Sequence, residues 1–198
     1  YYDYWRSYGM GGVLFLGICG KTDDVFTYFV AMKIAAFASI FVTMVNTYSF
    51  PHFSNLLSTK GFDALKESFK SYTKFVCSIA IMFFLGFLFI GDVVIGFFYE
   101  DKSAVAMVYL TATIFALAQS IYILSSQMTN FLIVTKNLTF VKWANLFGSS
   151  IFLICLLVLY YNEMESALNV VVSYLVAIAV SRSILIIHTF SLWKRGMT

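Results

Sequence analysis

Four side chains able to do chemistry stand inside otherwise apolar stretches of this sequence: Lys33, Asp92, Gln119 and Arg182. If those stretches cross a bilayer, their ionisable groups are costly and should face a bundle interior or a wet cavity. Arg182 is the deepest of the charges, about fifteen residues or about 22 Å into its apolar run, with Gln119 at a similar distance into another. Arginine stays protonated and donates bidentate hydrogen bonds to phosphate or carboxylate, so Arg182 is the first candidate for holding an anionic headgroup. The competing role is snorkelling to the nearer membrane surface. Lys33 and Asp92 lie about 12 Å and about 9 Å into their runs and could pair. Such a pair would either tie two helices together, with a part in coupling, or form a charged wall of an outward-facing cavity, and Lys33 and Gln119 join Arg182 as candidate substrate-binding residues.

The other reactive residue types form no comparable set. Cys19, Cys77 and Cys155 lie far apart in apolar runs, with no CxxC and no histidine pair, which points to neither disulfides nor a metal. His52 and His188 read as helix-end residues, and no serine, cysteine or carboxylate stands at a sequence spacing that would complete a nucleophile set. Phosphate-binding glycine loops are absent. No catalytic residue, metal or cofactor is therefore expected, and the chain does not read as an enzyme.

The elements that hold the charged residues follow from composition. Of 198 residues, 61% are hydrophobic and 12% charged, against about 45–50% and about 25% in soluble domains. A net charge of +3 gives no reason to expect nucleic acid. A bilayer core needs about 20 mostly apolar residues in helix. Five runs meet this requirement: Val25 to Phe50, Cys77 to Phe98, Ala104 to Val134, Val141 to Tyr161 and Ala167 to Phe190. Gly9 to Gly20 is a sixth, truncated run. The expected fold is an all-α integral membrane protein, a six-helix bundle occupying residues 1–198. The chain begins at Tyr1 without an initiator methionine and reads as a piece of a longer one.

Charge sets the orientation. Arg6, Lys60, Lys66, Lys70, Lys74, Lys136, Lys142, Lys194 and Arg195 fall on one side of alternating spans. Lys21 and Lys102 fall on the other, among Asp23, Asp24, Glu100, Asp101, Glu163 and Glu165. Both chain ends are thereby expected in the cytoplasm. Residues 61–74 form an amphipathic pattern, with Phe62, Leu65, Phe69 and Tyr72 on one face and Lys66, Lys70 and Lys74 on the other. This predicts a cytoplasmic interfacial helix, its basic face either solvated or drawn to anionic lipid. Pro51 should end the second span. Gly86, Gly91 and Gly96 are places where the third could bend. Small residues recur at four-residue spacing, as in Ala31, Ala35, Ser39 and Ala112, Ala116, Ser120 and Ser173, Ala177, Ser181, a pattern for close helix packing.

Several of these stretches, in order, resemble the C-terminal half of polysaccharide flippases of the Wzx O-antigen type, in the multidrug/oligosaccharidyl-lipid/polysaccharide exporter superfamily. Phe26-Thr27-Tyr28-Phe29-Val30-Ala31-Met32-Lys33-Ile34 is similar to a Y-x-x-A-x-K pattern. Ser49-Phe50-Pro51-His52-Phe53-Ser54-Asn55-Leu56-Leu57 is similar to the P-x-F-S-x-L exit of the same helix, and a basic linking helix and the span ending Ile95-Gly96-Phe97-Phe98-Tyr99 follow. The resemblance implies one lobe of a twelve-helix transporter in the bacterial inner membrane, with the N-terminal lobe missing. Its cargo would be a polyprenyl-pyrophosphate-linked oligosaccharide. Rival readings are a cation-coupled drug exporter of the same superfamily, which would want acidic cavity residues, and a membrane subunit of a polysaccharide polymerase or acyltransferase, which would want a reactive group or a large outer loop.

Overall fold

The structure is a computed structural model describing residues 4–97 and 101–195, with the side chains of residues 4–8, 39, 42 and 195 outside the description. Arg6, Ser39, Glu100 and Arg195, which enter the charge count and one small-residue stripe, therefore lie outside the described side chains. The described residues form seven helices and no strand: α1 (Tyr4–Ile18), α2 (Thr22–Ala35), α3 (Ala38–Lys60), α4 (Phe62–Gly96), α5 (Lys102–Val134), α6 (Leu138–Tyr161) and α7 (Ala167–Arg195). Four of them, α4 to α7, are long and apolar enough to cross a membrane. Their outward faces carry large hydrophobic side chains, such as Phe89 and Met82, that water would not tolerate. The chain is an integral membrane protein by these criteria.

Helix α5 is the centre of the bundle. It packs against α2, α3, α4, α6 and α7, and small side chains make the close approaches possible. Ala112 and Ala116 on α5, Ala31 and Ala35 on α2, and Ala177 and Ser181 on α7 are all buried. The small-residue stripes thus serve packing, and Ser120 Oγ donates to the Ala80 carbonyl of α4 at 3.4 Å. At the acidic end, Asp24 of α2 accepts the Ala167 N–H at 2.8 Å and so places a carboxylate at the amino terminus of α7. Asp101 caps α5 in the same way. Its carboxyl is held below the usual range, first by the Ser103 backbone N–H and then by the Ser103 hydroxyl.

Three sequence expectations change. The run from Val25 to Phe50 is not one helix: Ala36 N–H still donates to the Met32 carbonyl at 3.0 Å, but the four-residue ladder lapses at Phe37. Phe37 N–H reaches back only three residues to the Ile34 carbonyl, at 3.3 Å. Pro51 does not end its helix but sits inside α3, which continues to Lys60. Proline removes one N–H from the ladder, and the fully buried Ser49 and Phe53 on either side hold that turn against the bundle. Residues 62–74 do not form a helix of their own. They open the 35-residue α4, which runs through Gly86 and Gly91 without a break. Their apolar face is used inside the protein, where Leu65 and Phe69 are buried with Phe53 and Phe131. Before this helix Gly61, at φ 82° and ψ −172°, makes a turn that only glycine adopts readily.

Helix α1 reaches α2 through glycine. A Cβ on Gly12 would collide with the Tyr28 hydroxyl and ring, and one on Gly9 with the end of the flexible Met32 side chain. Gly12→Ala is expected to cost about 2 kcal/mol, since the buried Tyr28 ring cannot yield without repacking. Gly9→Ala should cost less. Gly17→Ala, where a Cβ meets nothing within 4 Å, should be neutral or slightly stabilising. Thermal unfolding of the three variants in detergent checks the order.

Candidate functional site: a polar cavity at Arg182

Past the break at Ala36 and Phe37, α3 packs on α4 and α5, whereas α6 packs on α7. The two pairs lie on opposite flanks of α5 and leave a cavity of about 400 Å³ between them. Arg182 of α7 and Asn145 of α6 line one side. Asn46, Thr47, Phe50 and Pro51 of α3 line the other, over a floor of Tyr122, Ser126, Thr129 and Asn130 from α5. The cavity sits in the half of the bundle nearer the lysine-rich turns, within about 20 Å of the helix ends that meet there.

Arg182 is 4% exposed, and its guanidinium lies 4.6 Å from the centre of the Tyr122 ring. A face-on cation and aromatic ring attract through the ring quadrupole, which offsets part of the cost of taking the charge from water. The lining contains no carboxylate, and Arg182 is its one charged side chain.

An amide network fixes the opposite wall. The Asn46 side-chain oxygen accepts from Asn130 Nδ2 at 2.8 Å and from Gln127 Nε2 at 3.3 Å. Asn130 Nδ2 also donates to Ser49 Oγ at 3.0 Å. With its oxygen engaged twice, Asn46 has its own NH₂ left to offer a ligand. The arrangement can therefore bind an anion or an oxygen-rich group through a guanidinium on one side and an amide donor on the other.

Of the residues singled out in the sequence, only Arg182 lines this cavity. Gln119 is buried in the apolar core next to it, where its Nε2 donates to the Tyr174 hydroxyl at 3.4 Å. Lys33 is exposed on α2, its ammonium 5.0 Å from the centre of the Phe29 ring. Asp92 is exposed on α4 and accepts the next residue's N–H at 2.7 Å. Lys33 and Asp92 do not pair with each other.

Sequence reasoning missed Asn46, Asn130, Asn145 and Tyr122. The available signal was three asparagines inside apolar runs, a cost in lipid smaller than that of a charge but of the same kind. It also missed a pair made by tertiary contact: Ser68 Oγ lies 3.0 Å from His52 Nε2, where α3 meets α4. Tyr72 lies beside the imidazole, with 5.5 Å between ring centres. Among the described residues no carboxylate orients this imidazole, so the pair lacks the third member of a nucleophile set. His188 stacks on Phe140 with 3.7 Å between ring centres. Among the described residues no cluster of His, Cys, Asp or Glu could hold a metal ion.

No protein family, curated protein or solved structure matches the chain.

Proposed function

We propose that this chain is the C-terminal lobe of a two-lobe transporter that moves a polyprenyl-pyrophosphate-linked oligosaccharide across the bacterial inner membrane by alternating access. In this reading α2 and α3 together make one interrupted span, so the seven helices amount to six crossings. The lysine-rich turns and both chain ends then lie in the cytoplasm. The Arg182 cavity then lies in the cytoplasmic half of the bundle, the side on which such a cargo is assembled.

The observation that carries the proposal is Arg182, buried in a cavity whose lining has no acid and whose opposite wall offers an amide donor. A guanidinium remains charged at any physiological pH and matches phosphate oxygens two at a time. A carrier must hold its cargo weakly enough to release it, and one fork plus a few neutral amides meets that need better than a cage of cations. A cation-coupled drug exporter would want a carboxylate here, and the lining supplies none. Of the three residues expected to touch substrate, the reading rests on Arg182; Lys33 and Gln119 lie outside the cavity.

Arg182→Ala in the complete protein should abolish surface display of the polysaccharide while protein level in the membrane stays within about twofold of wild type, since the change removes a charge without filling the cavity. Wild-type display from this variant would overturn the proposal, and loss of the protein itself is separated from loss of transport by immunoblot of the membrane fraction.

A further inference from the structure

A second hollow lies on the outside of the bundle, between the α2–α3 junction and α4. It measures about 490 Å³ and has no polar side chain in its lining. Ile34, Phe37 and Phe41 form one wall, and Met82, Phe83 and Ile90 of α4 form the other. Gly86 leaves it open from within, because a Cβ there would meet nothing within 4 Å. From Ile79 to Val94 the groove follows α4 for about 22 Å, more than the about 15 Å that is half of the hydrocarbon core. One chain of a lipid in a single leaflet therefore fits along it.

Lys33 supplies a complementary charge beside it. It immediately precedes Ile34, which lines the groove, and shares a helix face with Phe29, four residues before it on α2. That face is otherwise hydrocarbon, with Phe26 and Phe29 exposed. The Lys33 ammonium is drawn back over the Phe29 ring, towards the acidic end of the helix, and has no carboxylate partner among the described residues. An ammonium without a counter-ion, next to a groove that only hydrocarbon can fill, complements an amphiphile with an anionic head and an apolar tail.

We infer that this groove and Lys33 form a binding site for an anionic phospholipid of the bilayer, its phosphate on the Lys33 ammonium and one acyl chain between the α2–α3 junction and α4. The site is independent of the Arg182 cavity, which opens on another flank of α5, and it stands or falls apart from the transport proposal.

The test is thermal unfolding of the full-length protein in detergent, with phosphatidylglycerol or phosphatidylcholine of identical acyl chains added. At lipid about tenfold above its dissociation constant, phosphatidylglycerol should raise Tm by about 3 °C more than phosphatidylcholine. Lys33→Gln should remove that difference and Lys33→Arg should keep it. Gly86→Leu, which has room for its side chain, should remove most of the rise with phosphatidylglycerol by occupying the groove. Equal shifts from both lipids in the wild type would overturn the inference. So would a preference that survives Lys33→Gln, which would assign it to the lysines at the start of α4. An undiminished rise in Gly86→Leu, or a rise with polyprenyl phosphate and none with phosphatidylglycerol, would also overturn it.

Discussion

Arg182→Lys in the complete protein is expected to lower the rate of surface polysaccharide display about tenfold or more, although the positive charge is kept. Hydrogen bonds to charged groups contribute about 1.5–3 kcal/mol each. An ammonium on a flexible stem cannot make the two parallel bonds of a guanidinium, so losing one of them corresponds to about a tenfold loss or more in binding. Lysine also gives up the planar contact with Tyr122, over whose ring the Arg182 guanidinium is centred at 4.6 Å. Two changes at Tyr122 separate these causes. Tyr122→Phe retains the ring face and should display polysaccharide near the wild-type rate, whereas Tyr122→Leu removes it and should fall with Arg182→Lys. A display rate in Arg182→Lys equal to wild type would show that charge alone suffices and that the fork has no role.

The largest structural effect is expected at Ala116, which is fully buried on the central helix α5 between Ala112 and Ser120. Ala116→Leu adds three carbons at a position with no exposed surface. Overpacking of this kind costs about 1–3 kcal/mol in a well-packed core, and a position on a helix touched by five others belongs at the upper end. The protein should melt earlier in detergent and accumulate less in the membrane. Ala106→Leu places the same side chain on the same helix at an exposed position and should leave both measurements unchanged. An equal effect at the two sites would mean that α5 is not the packing centre.

Helices α5, α6 and α7 were legible because each is a long apolar run bounded by turn-forming or polar residues, and their observed ends fall within a few positions of the expected ones. The division of the second span was not. Ala36 and Phe37 are neither glycine nor proline, while Pro51, the conspicuous helix breaker, lies inside α3 without ending it. Propensity describes what a residue does to an isolated helix, and the burial of Ser49 and Phe53 decided otherwise. For residues 61–74 the period of the apolar face was read correctly, but a 3.6-residue period is the same whether that face meets lipid or Phe131.

The site shows the same division. Arg182 could be found because a charge in an apolar run is expensive wherever it points. Sequence spacing gave the depth of Lys33, Gln119 and Asp92 but not their direction around the bundle. The three turned out to face outward, into the core, and outward. Asn46, Asn130 and Asn145 became visible only when packing brought α3, α5 and α6 to one place.

The interruption between α2 and α3 is made without leaving helical geometry: Ala36 stands at φ −63°, ψ −20° and Phe37 at φ −55°, ψ −31°. Two rigid rods are joined here by a few degrees of torsion rather than by a slack loop, with α2 clamped on α5 and the rod below it bearing Asn46. The Asn46 wall is thereby held at two places, at this joint above and by the Gln127 and Asn130 amides of α5 beside it, so the width of the chamber depends in part on two residues that do not line it.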